Sequence, residues 1–169
     1  MKAWIKTAVA AVTLSATSFT AGAEGYAGEK SLGLLAGYNT YNHSAIAGFE
    51  FTYRFSRNFR LAPGVLYAFR NQRRDALMVN VNAHFPIPCS TAVTAYPLAG
   101  INYSSWNFRH FDPATANDVT SRDSRFGLNA GAGVDFALRG NLRLGAEAYY
   151  TFIKSYSGAA VAAKIAYAF

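Results

Sequence analysis

Apolar and polar positions alternate along most of the chain beyond its first two dozen residues. From Ala76 to Ile87 (ALMVNVNAHFPI), the odd positions Leu77, Val79, Val81, Ala83, Phe85 and Ile87 are all apolar, while Asn80, Asn82 and His84 stand among the even ones. From Phe59 to Phe69, one face carries Phe59, Leu61, Pro63, Val65, Tyr67 and Phe69, and the other Arg60, Ala62, Gly64, Leu66 and Ala68. A period of two marks a strand whose two faces meet different surroundings. The same pattern predicts eight strands, over residues 31–39, 45–55, 59–69, 76–87, 92–105, 125–138, 141–153 and 158–169. Their lengths suit the ~9–11 residues with which a tilted strand crosses a bilayer.

The predicted connections alternate in length. Ser56-Arg57-Asn58, Pro88–Thr91 and Arg139-Gly140-Asn141 are short, and between them lie 40–44, 70–75 and the long stretch 106–124. Short and long connections in turn predict an up-and-down barrel with periplasmic turns at one end and longer extracellular loops at the other. Two stretches also repeat at an offset of 83 residues, Gly48–Phe69 and Gly131–Phe152. In them Asn58, Arg60, Leu61, Tyr67 and Phe69 match Asn141, Arg143, Leu144, Tyr150 and Phe152. Each reads as a hairpin. A lone hairpin buries too little to be stable, so repeated hairpins imply a closed or stacked assembly.

Alternation alone fits a soluble sandwich as well as a membrane barrel. Composition sharpens the choice: 51% of residues are apolar and 15% aromatic, yet no run after the N-terminal segment is long enough for a spanning helix. Three details favour the membrane. Aromatics gather at both strand ends on the apolar face: Phe55, Phe59, Phe85, Phe136 and Phe169 by the short turns, Tyr38, Phe69, Tyr103, Phe126 and Phe152 by the long loops. Lipid interfaces select two such girdles. The polar face is rich in small residues such as Gly33, Gly64, Gly100, Gly127, Gly131 and Gly145, which suit the narrow interior of eight strands. The chain also closes on Val161-x-Ala163-x-Ile165-x-Tyr167-x-Phe169. The expected fold is therefore all-β, a transmembrane up-and-down antiparallel β-barrel of eight strands.

That terminal alternation resembles the C-terminal signal read by outer-membrane assembly machinery, with Tyr167 and Phe169 as its core. The stretch Asn129–Phe152 resembles a penultimate hairpin of the small outer-membrane β-barrel family, the OmpA/OmpX-type barrels, and the whole chain from about residue 30 resembles that family. The resemblance implies fold and a bacterial outer-membrane location, and no particular activity.

The N-terminus agrees with export. Lys2 and Lys6 precede the apolar run 7–14, which gives way to small residues ending in Ala21-Gly22-Ala23. That order is a secretory signal peptide; eight apolar residues fall short of the ~20 of a spanning anchor. The expected organisation is a signal peptide over 1–23 and a barrel over 24–169. The net charge of +7 would suit nucleic acid, but an exported chain meets an acidic membrane surface instead. Cys89 stands alone, with neither a disulfide partner nor metal-ligand spacing.

The inward face is predicted to carry Glu50, Arg54, Arg60, His84, Arg125, Asp135, Arg143, Glu147 and Lys164, a polar network filling a narrow lumen. Buried charges of opposite sign in so small a space pair with each other. The loops carry Arg70, Arg73, Arg74, Arg109 and Arg122. Guanidinium groups suit phosphates, so the expected partners are outer-membrane lipids and lipopolysaccharide, besides the assembly machinery. No cofactor, metal or catalytic residue is expected, and the barrel is expected to be a monomer.

Two other functions compete with a structural or surface-interaction barrel. One is a lipid-modifying enzyme, acting on lipid A acyl chains. It would need a nucleophile and a base in one site, and the sequence offers His43 beside Ser44, His110 near Asp112, and an inward His84. The other is a small channel. Pro63 and Pro97 fall within predicted strands, where each removes a ladder donor; a bulge and a lateral gap in the wall are the two readings.

Overall fold

The computed structural model describes residues 27–112 and 117–169. The proposed signal peptide lies outside them. Nine antiparallel strands follow one another: β1 (Lys30–Asn39), β2 (Ser44–Ser56), β3 (Phe59–Asn71), β4 (Arg74–His84), β5 (Ile87–Pro88), β6 (Val93–Asp112), β7 (Asn117–Ala137), β8 (Leu142–Phe152) and β9 (Gly158–Ala168). The two-residue β5 pairs only with β6. The other eight close into a barrel, each paired with its sequence neighbour and β1 with β9. At the seam, Phe169 N donates to Lys30 O at 2.8 Å and Lys30 N to Phe169 O at 3.3 Å.

The two repeated stretches occupy equivalent hairpins in the same register. Gly48 pairs with Leu66 across β2–β3, and Gly131 with Tyr149 across β7–β8. At both glycines a Cβ would run into the backbone of the neighbouring strand. The repeat therefore preserves a close strand approach.

The faces follow the period-two reading. Outward residues include Leu34, 64% exposed, and Phe126, 77% exposed, with Val79, Ile101, Leu128, Val161 and Ile165 among them. Both aromatic girdles point outward. Phe55, Phe59 and Phe85 form a row of ring contacts at the turn end, and Tyr103 meets Phe126 at the other. Apolar surface of this extent on every side of a barrel requires hydrocarbon as its solvent. Replacing Leu34 by Arg is expected to cost about 2–4 kcal/mol near mid-strand, read as the change in unfolding free energy in lipid vesicles. A change within a few tenths of that for Leu34→Ala would contradict the lipid-facing register of β1.

The connections differ from expectation. The 70–75 loop is a two-residue turn, with Gln72 and Arg73 both at positive φ (48° and 62°). This backbone matches the twist of a tight hairpin. Most of the stretch 106–124 is strand: β6 and β7 stay in register from Val93↔Phe136 to Asp112↔Asn117. Only a membrane-spanning part of that ladder lies between the girdles. The rest projects about 30 Å along its own axis beyond Tyr103 and Phe126, at ~3.3–3.4 Å per residue.

Neither proline sits on a bulge. The β2–β3 ladder lacks rungs between Glu50↔Gly64 and Tyr53↔Leu61 yet resumes in the same register, so Pro63 costs pairing without shifting it. The register shift in that hairpin lies at Arg54/Ser56 instead. Pro97 stands just past the end of the β4–β6 ladder, where its carbonyl accepts from Phe85 N at 3.1 Å. Its missing N–H falls where β4 has already ended, which lowers the cost.

Candidate functional site

Inward positions of β2, β3, β4, β6, β7, β8 and β9 converge on one ion-pair cluster. Lys164 Nζ lies 2.7 Å from Glu147 Oε1, 3.0 Å from Glu50 Oε1 and 3.7 Å from Asp135 Oδ1. Arg60 Nη1 meets Asp135 Oδ2 at 2.7 Å, and Arg60 Nε donates to His84 Nδ1 at 3.2 Å. All six residues are buried. Tyr96 ties them together. Its hydroxyl donates to Glu147 at 2.7 Å, its ring stacks on His84 at 4.7 Å, and the Arg60 guanidinium lies 4.2 Å over its face. The ring lies where a Cβ on Gly133, its partner across the β6–β7 ladder, would have to go.

Towards the end that carries the long β6–β7 hairpin, a second layer of amides fills the lumen. Asn80 Oδ1 accepts from Asn102 at 2.7 Å and from Asn129 at 2.9 Å. Asn129 Nδ2 also reaches Asn82, and Thr151 donates to Asn129. A third layer is aromatic: Trp106 is buried against Tyr41, with ring centroids 5.0 Å apart, and against Tyr156 at 5.5 Å. Salt bridge, amide and aromatic layers thus stack along the barrel axis.

Six of the nine expected network residues meet in this way: Glu50, Arg60, His84, Asp135, Glu147 and Lys164. Arg54 and Arg143 sit lower, at the turn-end rim, where both face Glu29, Arg54 at 3.9 Å. Arg125 does not join the network. It has the inward parity but lies above the barrel, paired with Asp123 at 3.0 Å. Tyr96, Glu29 and Trp106 belong to the interior and were absent from the expected set. Tyr96 shares its face with Asn102, so parity alone would have placed it inside; its largely apolar ring hid its polar role.

Asp123 also accepts from the Tyr156 hydroxyl at 2.6 Å. This hydrogen bond, more than the neighbouring Arg125, holds the Asp123 carboxyl below its ordinary 3.8. A depressed carboxyl stabilises the fold fully above its unfolded value, and that contribution fades as the pH falls through the folded one. Below about pH 4 the contact with Tyr156 should therefore loosen. Trp106, the only tryptophan in residues 24–169, touches Tyr156 and should report it as an acid-side change in emission. Asp123→Asn should remove that change; its persistence would assign it to another group.

The expected loop arginines come together at the rim that carries the long hairpin. Arg73 O accepts from Arg109 N, Arg74 pairs with Phe108 in the ladder and lies over its ring, and Arg122 Nε donates to Asn107 at 3.1 Å. Arg70 leans on Asp75 at 3.4 Å. Asp75 is itself buried on the outer wall, accepting from Tyr67 and Asn107. The β3–β4 turn and the adjoining flank of the β6–β7 hairpin thus carry five arginines, with Asp75 buried beneath them.

Among the described residues, His43 and its neighbour Ser44 point to different partners. Ser44 Oγ accepts from Asn42 Nδ2 at 3.2 Å, while His43 Nδ1 faces the Tyr38 hydroxyl. The side chain of His110 lies outside the described residues. Glu50, His84 and Glu147 bring potential ligand atoms within 4.8 Å of one another, as a metal would need. The Lys164 ammonium already bridges both carboxylates, and Arg60 donates to the histidine. The cation position is filled by the protein's own lysine.

Residues 3–169 match the outer membrane protein beta-barrel domain. The protein belongs to the outer-membrane β-barrel family. Solved members of this architecture are similar in fold at low identity. The N-terminal β-barrel domain of Pseudomonas aeruginosa OprF superposes with a TM-score of 0.70 at 12% identity, covering 85% of this chain and 99% of that one. Neisserial surface protein A gives 0.64 at 16%, covering 88% and 100%. Ail, the attachment invasion locus protein of Yersinia pestis, gives 0.56 at 18%, covering 85% and 99%. No curated protein sequence matches the chain. Membership places this barrel in the bacterial outer membrane, and orients its short turns to the periplasm and its long β6–β7 hairpin outward.

Proposed function

We propose that this outer-membrane barrel is a surface-interaction protein, its wall a scaffold and its extracellular rim a contact surface for the phosphates of lipopolysaccharide. The grouping of Arg70, Arg73, Arg74, Arg109 and Arg122 on the β3–β4 turn and the adjoining flank of the β6–β7 hairpin supports the reading. Guanidinium groups recognise phosphate through paired, charge-assisted hydrogen bonds. Arg70 and Arg74 stand just beyond the Tyr67 and Phe69 girdle, at the level of outer-leaflet headgroups, and Arg109 and Arg122 continue the group outward along β6 and β7. The stacked layers close the middle of the lumen, and this reading assigns the extracellular rim as the contact surface. Ail, of the same fold, has been crystallised with the heparin analogue sucrose octasulfate, a precedent for polyanion binding on such a barrel.

The test compares the wild type with a variant carrying all five Arg→Gln changes, both in lipid nanodiscs. Purified lipopolysaccharide should bind the wild type roughly tenfold or more tighter than the variant, since several charge-assisted contacts are lost together. Dephosphorylated lipopolysaccharide should not distinguish them. Equal binding of phosphorylated lipopolysaccharide would overturn the reading. A preference for sucrose octasulfate over lipopolysaccharide would redirect it to soluble polyanions.

A further inference from the structure

Polar side chains form a hydrogen-bonded row on the outer wall, at the edge of its lipid-facing belt. Asp75, Asn107 and Arg122 are direct ladder partners across β4, β6 and β7. Arg122 Nε donates to Asn107 Oδ1 at 3.1 Å, and Asn107 Nδ2 donates to Asp75 Oδ2 at 3.0 Å. From β3, the Tyr67 hydroxyl donates to Asp75 Oδ2 at 3.2 Å and Arg70 Nε to Oδ1 at 3.4 Å. Asp75 shares the outward parity of Leu77 and Val79, which are 47% and 40% exposed, yet is itself only 5% exposed. A carboxylate beside hydrocarbon is costly unless donors enclose it. Here three donors do so, and the same bonds fix the two arginines. Each guanidinium commits its Nε to the row and keeps its Nη1–Nη2 end without a partner among the described residues. That end is the planar fork that pairs with phosphate, and both arginines are exposed.

We infer that this row seats one glycolipid headgroup carrying two phosphates, one on each fork, with Asp75 as the positioning residue that holds the forks in place. The seat presupposes the lipopolysaccharide contact proposed above and narrows it from five arginines to two. Arg70 and Arg122 are the two ends of a chain of hydrogen bonds through Asp75 and Asn107. Their forks are therefore held at separate points and suit two phosphates better than one. The acyl chains of such a lipid would lie against Leu77, Val79, Tyr103 and Phe126, outward residues that follow on the same strands towards the membrane. That continuity selects a membrane lipid over a soluble phosphate. Charge alone predicts the opposite of positioning. Removing the Asp75 carboxylate makes this face more positive, and a purely electrostatic surface would then hold anions more tightly.

The protein in detergent micelles is titrated with bisphosphorylated and with monophosphorylated lipid A, the bound fraction being read by native mass spectrometry. The wild type should prefer the bisphosphorylated lipid about tenfold, the scale of one charge-assisted contact. Asp75→Asn should shrink that preference to about twofold or less, while binding the monophosphorylated lipid much as the wild type does. Asn107→Ala changes no charge and should reduce the preference in the same direction, because Arg122 loses its anchor. Asp75→Glu should restore part of it. Inorganic pyrophosphate at equal phosphate concentration should not displace the lipid. Tighter binding by Asp75→Asn, a preference undiminished in both variants, an equal weakening towards both lipids, or displacement by pyrophosphate would each overturn the inference. Loss of binding in the five-arginine variant beside an unchanged Asp75→Asn leaves the lipopolysaccharide contact standing and removes the seat. If the five-arginine variant binds as the wild type does, both fall.

Discussion

Replacing Lys164 by Met should be the most damaging single change to this barrel, at about 3–5 kcal/mol. The ammonium is shared by Glu50, Glu147 and Asp135 in a fully enclosed site. Its loss leaves two carboxylates facing each other across the lumen, with Tyr96 and Thr52 as their remaining hydrogen-bond partners among the described residues. The penalty arises from the stranded charges and not from the absent lysine. Adding Glu50→Gln and Glu147→Gln to Lys164→Met should therefore recover a large part of the loss. Urea unfolding in lipid vesicles measures both variants. If the triple variant is as unstable as the sum of its parts, the three residues do not act as a unit.

A second large effect concerns ions. The purified protein should be silent in a planar bilayer at moderate salt, where a porin of ~16–18 strands conducts freely. Three different layers obstruct the axis in series: the Lys164 cluster, the Asn80–Asn102–Asn129 amides, and the Trp106 stack with Tyr41 and Tyr156. Weakening one layer should leave the others closed, so Trp106→Ala alone should also be silent. A variant combining Trp106→Ala, Asn129→Ala and Tyr96→Ala should leak. Discrete, reproducible channels in the wild type would mean that the layers open together, and the channel reading would take precedence.

The strands were legible because lipid imposes a one-sided demand. Every second residue between the girdles must be apolar, and the sequence keeps to it through Leu77, Val79 and Val81 as through Val161, Ala163 and Ile165. Where that demand ends, so does the signal. Over Val119–Arg122 both faces of the β6–β7 hairpin are exposed, the alternation lapses, and the stretch reads as a loop. The Gln72-Arg73 turn lacks the Asn-Gly or Asp-Gly chemistry that usually announces such a backbone. The ion-pair cluster was legible in membership because charge on an inward parity has nowhere else to go. Parity fixes the face of a strand but not the height along it, which is why Arg125 was grouped with residues lying well below it. Glu29 precedes the first strand and carried no pattern at all. The rim arginines were visible as charges, and only the pairing of β4 with β6 shows that they are neighbours.

The backbone bonds between Lys30 and Phe169 make the barrel a ring cut at one arbitrary place. A short glycine–serine bridge from Phe169 to the residues before Lys30 would join that cut, and new termini could be opened at the Arg57-Asn58 or Gly140 turn, both on the periplasmic side. Circular permutants of this kind keep every rung of the sheet while moving the aromatic residue that now closes the chain into its interior. They separate what Phe169 contributes as an outward-facing side chain from what it contributes as a terminus: a permutant that refolds in detergent but fails to reach the membrane in cells would support the expectation that the terminal pattern acts as an assembly signal, and one that reaches the membrane normally would contradict it.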